Sequence, residues 1–251
     1  MSVLSLLEEF KGRIIDIHSH IGSDQRFLLE GSEDYIVKVM NRYGIKVAFV
    51  SGTHSLIADF RVGNRHVMRA VKKYPDRFVG LVSVNPYYKE EGLKEMRRYL
   101  RMGFKGVKTH PVYFNLPLTD ELYLRVFEEA EKLRVPVMAH SYDGGVEVSK
   151  VADLYPNLTI VMYHMGGIKW KEGIERVKKY DNVYAEISSS VTDRGMVEKA
   201  VEVLGYERVL FGVDMPYLDP AVSLGKVLGA EISKEAKEAI LCENALKFLR
   251  V

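Results

Sequence analysis

A single (β/α)8 barrel, one α/β domain over residues 1–251, is the fold this sequence predicts. Three observations carry that prediction. Eight short segments are apolar, rich in β-branched or aromatic residues, and end near polar residues or glycine. Helical stretches with 3.6-residue spacing separate them in strict alternation. The length of 251 residues, 47% of them hydrophobic, suits a barrel built as one unit. Right-handed strand–helix–strand crossovers let such a parallel sheet close on itself. A doubly wound open sheet is the other architecture this alternation allows.

The expected strands are 13–20, 45–52, 78–85, 103–110, 136–140, 158–164, 182–188 and 208–214. Val47-Ala48-Phe49-Val50 and the run from Leu158 to Tyr163 are almost unbroken apolar stretches, as in strands covered on both faces. Ser32 opens a helix that presents Ile36, Val39, Met40 and Tyr43, and Gly44 closes it. Thr119 opens another, carrying Leu122, Val126, Phe127, Ala130 and Leu133. Asn64, Glu90, Gly145, Ile168, Asp193 and Pro220 begin the remaining helices. Longer connections follow the first strand (21–31), the second (53–63) and the fourth (111–118). A barrel gathers these at its C-terminal mouth, where active sites are built.

Composition excludes several classes. Charged residues make up 28% and the net charge is +2, so the chain is globular, and neither nucleic acid nor an anionic membrane is an expected partner. Cys242 is the only cysteine and has no internal partner, which suits a reducing cytoplasm. No apolar stretch approaches the ~18 residues of a membrane span. The first ten residues carry Glu8 and Glu9 without a basic leader, so no signal peptide is expected. A single glutamine, Gln25, among many charges of both signs leans towards a thermophile. There is no glycine-rich phosphate loop to suggest nucleotide chemistry.

Polar residues collect where the apolar runs stop. His18 and His20 end the first strand, His140 the fifth, His164 the sixth and Asp214 the eighth. Residues i and i+2 of a strand face the same way, so His18 and His20 can converge on one ion. In a closed barrel all five residues ring one mouth. Imidazoles with a carboxylate suit zinc, and also manganese, iron or cobalt. Such a site keeps room for water or substrate, and a nearby histidine can shuttle protons. Lys108 and His110 end the fourth strand, where a lysine can bind a substrate anion or, if carboxylated, bridge a second metal. Arg26 and Arg61 sit in the long loops and suit a clamp on a substrate carboxylate. Asp16 shares the parity of the two histidines and is expected to support them. Glu186 either supports the metal shell or faces a helix.

The sequence resembles the amidohydrolase-related family, the branch of the amidohydrolase superfamily that holds aminocarboxymuconate-semialdehyde decarboxylase and related lyases and hydrolases. The segments that carry the resemblance are Ile14-Ile15-Asp16-Ile17-His18-Ser19-His20-Ile21, Tyr74-Pro75-Asp76-Arg77-Phe78-Val79-Gly80, Gly103-Phe104-Lys105-Gly106-Val107-Lys108, Leu210-Phe211-Gly212-Val213-Asp214-Met215-Pro216 and Asn244-Ala245. The resemblance implies one metal on His18, His20, His140 and Asp214, with His164 as the acid/base beside it. TatD-type deoxyribonucleases also begin with His-x-His, but they carry a glutamate where this chain has Lys108 and His110.

Three functions follow as expectations. The first is a metal-dependent hydrolase of a small amide, ester or lactone, in which His164 or Asp214 moves the proton. The second is a metal-dependent, non-oxidative decarboxylase of a small aromatic or unsaturated acid. The third is a non-enzymatic binding module with a structural metal. The partner in the first two is a small-molecule substrate, and whether the chain forms a homo-oligomer is left open.

Overall fold

A computed structural model describes residues 3–249. Its strands are β1 (Ile14–Ile21), β2 (Ile45–Gly52), β3 (Phe78–Gly80), β4 (Val82–Ser83), β5 (Val107–Thr109), β6 (Val137–His140), β7 (Ile160–Tyr163), β8 (Val183–Glu186) and β9 (Val209–Leu210). All neighbours pair in parallel, in the order β1-β2-β3 and β4 through β9. β3 and β4 form one barrel strand interrupted at Leu81, whose N–H donates to Val50 O at 2.9 Å. The expected count of eight therefore holds. Backbone bonds join the chain's last strand region to the first. Ile17 N donates to Phe211 O at 3.0 Å, His20 N to Met215 O at 2.7 Å, and Asp214 N to His18 O at 2.6 Å. The ring is closed, not an open sheet.

Helices wrap the strands. They are α1 (Val3–Phe10), α2 (Glu33–Tyr43), α3 (Thr53–Ile57), α4 (Phe60–Lys73), α5 (Lys89–Arg101), α6 (Pro111–Phe114), α7 (Glu121–Leu133), α8 (Val146–Leu154), α9 (Trp170–Val177), α10 (Met196–Leu204), α11 (Pro220–Leu228) and α12 (Lys234–Glu238). Ser32 and Gly44 cap α2 as expected. The α4 helix starts earlier than Asn64, because Asp59 accepts from Arg61 N and Val62 N. Asp120, not Thr119, caps α7 by accepting from Leu122 N. The helices α1, α3, α6 and α12 were not expected as separate elements; all have eight residues or fewer, too short for a full amphipathic period to stand out.

Two apolar layers result. Ile15, Ile17, Phe49, Leu81, Met138, Val161, Tyr163 and Leu210 form one cluster, joined by Ala245 and Phe248. A larger cluster fills the space between strands and helices. Among the described residues no helix is long and apolar enough to cross a membrane. Register shifts within β1 between Asp16 and Ser19 interrupt its two-residue alternation. The Asp16 carboxylate accepts from His18 N and Val213 N, both at 2.9 Å, and so ties the first strand to the last one's loop.

Candidate metal centre and active site

Strand ends deliver the polar residues to one mouth. His18, His20, Lys108 and His164 are each 3% exposed or less. His164 and Asp214 have left-handed backbones, with φ of 64° and 70°. Such conformations cost non-glycine residues about 1–3 kcal/mol and persist where the surroundings over-determine them. The Asp214 N–H bond to His18 O is part of what holds its turn.

Outer-face hydrogen bonds set the imidazole tautomers. His164 Nδ1 lies 2.8 Å from the Ser188 carbonyl. A carbonyl only accepts, so Nδ1 carries the proton and Nε2 is a bare lone pair. His18 Nδ1 lies 3.0 Å from Glu186 Oε2 and 3.0 Å from Ser188 Oγ, which again turns Nε2 inward as an acceptor. His20 Nδ1 is 2.9 Å from Ser51 Oγ. Inside the mouth, His20 Nε2 stands 3.0 Å from Asp214 Oδ1, and His18 Nε2 stands 3.4 Å from the same oxygen. Lys108 Nζ is 3.2 Å from His18 Nε2 and 3.9 Å from the centre of the Tyr163 ring, which stacks on His18 at 3.6 Å.

Burial governs the charges. It pushes His18 well below the ordinary imidazole value, with the Lys108 charge adding to it. It lowers His20 and takes His164 to about 4. Lys108 falls to about 7, held up in part by Asp214 and Glu186. Glu186 rises to about 7, against the hydrogen bonds from Ser188. Burial would raise Asp214, but the hydrogen bond from His20 and the nearby Lys108 leave it lowered. Neutral imidazoles thus face a carboxylate.

This donor set fits a divalent cation. His18 Nε2 and His164 Nε2 present lone pairs and Asp214 a carboxylate oxygen, the nitrogen and oxygen donors a divalent ion takes. Among the described residues, donor atoms of His18, His164 and Asp214 all lie within 4.8 Å of one another. His20 joins through its contact with Asp214. His140, expected as a ligand, does not reach this compact group; its Nδ1 faces His164 Nε2 at 3.1 Å. The sequence reading placed His164 outside the ligands, whereas here its donor atom lies among them.

The other candidates are placed as follows. His110 stacks on His140 at 3.8 Å, and its Nδ1 is buried without a hydrogen-bond partner. Arg26 is tied by Nε and Nη2 to Asp24 at 3.0 and 2.7 Å, and Nη2 also reaches Tyr113 Oη at 3.2 Å. Arg61 pairs with Glu91 and lies over the Phe60 and Tyr88 rings. Neither guanidinium is left as the free clamp that the sequence suggested, because each has a carboxylate partner within its own neighbourhood. A cavity of about 470 Å³ opens beside His140.

Sequence reasoning missed several supports. Ser188 serves both His18 and His164, and its parity with Glu186 was the available signal. Lys226, from the distant helix α11, donates to Ile187 O at 3.1 Å and Ser189 O at 2.9 Å, on either side of the Ser188 carbonyl. Gly212 leaves room for Glu186, since a Cβ there would lie 2.3 Å from Glu186 Oε1.

The amidohydrolase family profile matches residues 15–251, and the chain belongs to that family. It is thereby placed among the enzymes of the amidohydrolase superfamily. A curated relative, 2-amino-3-carboxymuconate-6-semialdehyde decarboxylase of Dictyostelium discoideum, is 24% identical over 74% of this chain; the match spans 65% of that relative's length. Solved structures share the fold. The 5-carboxyvanillate decarboxylase of Sphingomonas paucimobilis is 17% identical with a TM-score of 0.76, covering 96% of this chain and 100% of its own. The 2,6-dihydroxybenzoate decarboxylase from Rhizobium is 19% identical with a TM-score of 0.73, covering 96% and 99%. A dihydroxybenzoic acid decarboxylase of Polaromonas sp. JS666, solved with manganese and 2-nitroresorcinol, is 20% identical with a TM-score of 0.72, covering 94% and 96%.

Proposed function

We propose that the chain is a metal-dependent, non-oxidative decarboxylase of small aromatic acids. The observation that carries this reading is Lys108, a buried amine beside the donor set whose pKa burial draws down to about 7, so that an arriving anion favours its ammonium form. It suits a substrate that arrives as an anion. A neutral amide, ester or lactone, the substrate class ranked first from sequence, has no comparable use for it. The names of the similar proteins support the same choice.

In this reading one divalent ion, manganese or zinc, would be held by His18, His20, Asp214 and His140, the last of which stands outside the compact donor group and would have to turn towards it. When bound, the ion would supply a Lewis acid for the substrate's oxygens. Lys108 balances the substrate's charge. Tyr163, part of the inner apolar cluster, stacks on His18, and the stacked His110 and His140 rings form another part of the wall. His164 Nε2, left as an acceptor by the Ser188 bond, would take a proton from solvent and deliver it to the ring carbon as the carboxylate leaves. In the net change the carboxylate leaves as CO2 and a proton replaces it on the ring carbon.

The test is CO2 release from a hydroxybenzoate panel by manganese- or zinc-loaded protein, beside ester and lactone panels. CO2 from hydroxybenzoates is the expected result; hydrolysis without any CO2 would replace this reading with the hydrolase. Metal content separates the histidine roles. His140→Ala is expected to lose the ion, and His164→Ala to keep it while turnover falls about 10²–10⁴-fold. The reverse pattern would exchange the two roles.

A further inference from the structure

The cavity beside His140 has an uneven chemistry. Val112, Leu116, Leu118 and the Tyr142 ring supply apolar wall, while Asp143 and Glu147 supply carboxylates. Among the described residues no lysine or arginine lines it. Asp143 is largely spoken for: Oδ1 accepts from Ser141 Oγ at 2.9 Å and Gly145 N at 3.0 Å, and Oδ2 from Glu147 N at 2.8 Å. Glu147 uses Oε2 to accept from Leu118 N at 2.7 Å. Its Oε1 takes no hydrogen bond from a described residue. Burial raises the Glu147 carboxyl, with Asp143 adding to the shift and the exposed Lys150 opposing it.

We propose that this cavity receives the far edge of a hydroxylated aromatic monoacid and turns away diacids, with Glu147 as the discriminating residue. The inference rests on the decarboxylase reading and names which acids that site accepts. The reacting carboxylate has Lys108 to meet it. A ring hydroxyl pointing the other way has Glu147 Oε1 as acceptor. A second carboxylate in the same place would meet two carboxylates and no cation. Selectivity then comes from repulsion of the wrong ligand as well as attraction of the right one. Arg26 and Arg61 do not line the cavity, and each is paired with a carboxylate elsewhere, Asp24 and Glu91.

The experiment is calorimetric titration of the manganese-loaded full chain with 2,4-dihydroxybenzoate and with 2-hydroxyterephthalate, which carry a hydroxyl and a carboxylate at the same far position, beside CO2 release from each. The monoacid is expected to bind at least about tenfold more tightly. Glu147→Gln keeps an acceptor for Leu118 N, and is expected to tighten the diacid about tenfold and shrink the ratio. A wild-type chain that binds the diacid equally or better overturns the proposal, as does a ratio that Glu147→Gln leaves unchanged. The binding preference without CO2 from either acid leaves the charge selection standing and removes the decarboxylase reading. CO2 from both acids at equal efficiency keeps that reading and removes the selection.

Discussion

His18 and His20, on one wall of the mouth, each have the outer ring nitrogen tied to an oxygen, 3.0 Å from Glu186 Oε2 and 2.9 Å from Ser51 Oγ. His110 and His140, on the other wall, are held differently. His110 Nδ1 is buried without a partner, and His140 leans on ring stacking and on His164. The first wall is stitched together by backbone bonds between residues 17–20 and 211–215, and by Asp16. The second borders the cavity. The difference separates two tasks. A fixed wall presents lone pairs at set positions, which an ion requires, while His110 and the open volume on the other side suit a molecule that comes and goes, with His140 between the two tasks.

The largest test breaks the fixed wall. His18→Ala removes a donor and uncovers both Glu186 and Lys108. The metal is expected to be lost, with turnover down by at least about 10³-fold, checked by elemental analysis and CO2 release. His110→Ala, on the other wall, is expected to keep the metal and lower turnover only about tenfold. Equal metal loss in both variants would erase the distinction between the walls.

A smaller effect comes from the layer behind the imidazoles. Glu186→Gln weakens the anchor on His18 Nδ1, and such supporting bonds are commonly worth 10–100-fold in metal affinity. Competition with a chelator would read that change. Gly212→Ala should act on the same group by collision, since the added methyl would meet Glu186 Oε1. If Gly212→Ala weakens metal binding while Glu186→Gln does not, the glutamate's position would matter only for packing.

Parts of this were legible before any coordinates. The barrel was, because eight apolar runs alternate with helical periods. His18 and His20 stood out by their period of two, and His140, His164 and Asp214 by closing apolar runs. The compact grouping of His164 with His18 and Asp214 was not legible, because it depends on a left-handed turn at His164 that no neighbouring glycine announces on its N-terminal side. Asp143 reads in sequence as an ordinary helix-leading polar residue, and only the fold turns it and Glu147 towards the cavity. Lys226 lies 38 residues from Ser188 in the chain, so its grip on the neighbouring carbonyls has no local pattern. Arg26 and Arg61 were readable as loop arginines, but not as arginines already paired.

The smallest effect concerns how the first loop is fastened to the fixed wall. Asp24 is buried, accepts from Arg26 and from Tyr217 Oη at 2.9 Å, and Tyr217 meets His20 edge-on at 5.6 Å. The Arg26 hydrogen bonds hold the Asp24 carboxyl down at about 2, from an ordinary 3.8. A depressed carboxyl contributes stability that is full above its unfolded value and fades as pH falls towards the folded one. The contribution of Asp24 is therefore expected to be constant above about pH 4 and to decline between about 4 and 2. Asp24→Asn should melt about 2–4 °C below wild type at pH 7, with the gap narrowing as the pH is lowered through that window. A gap that stays constant down to pH 2.5 would mean that the loop is held by shape and neutral hydrogen bonds, and the fixed wall would then owe nothing to this charge.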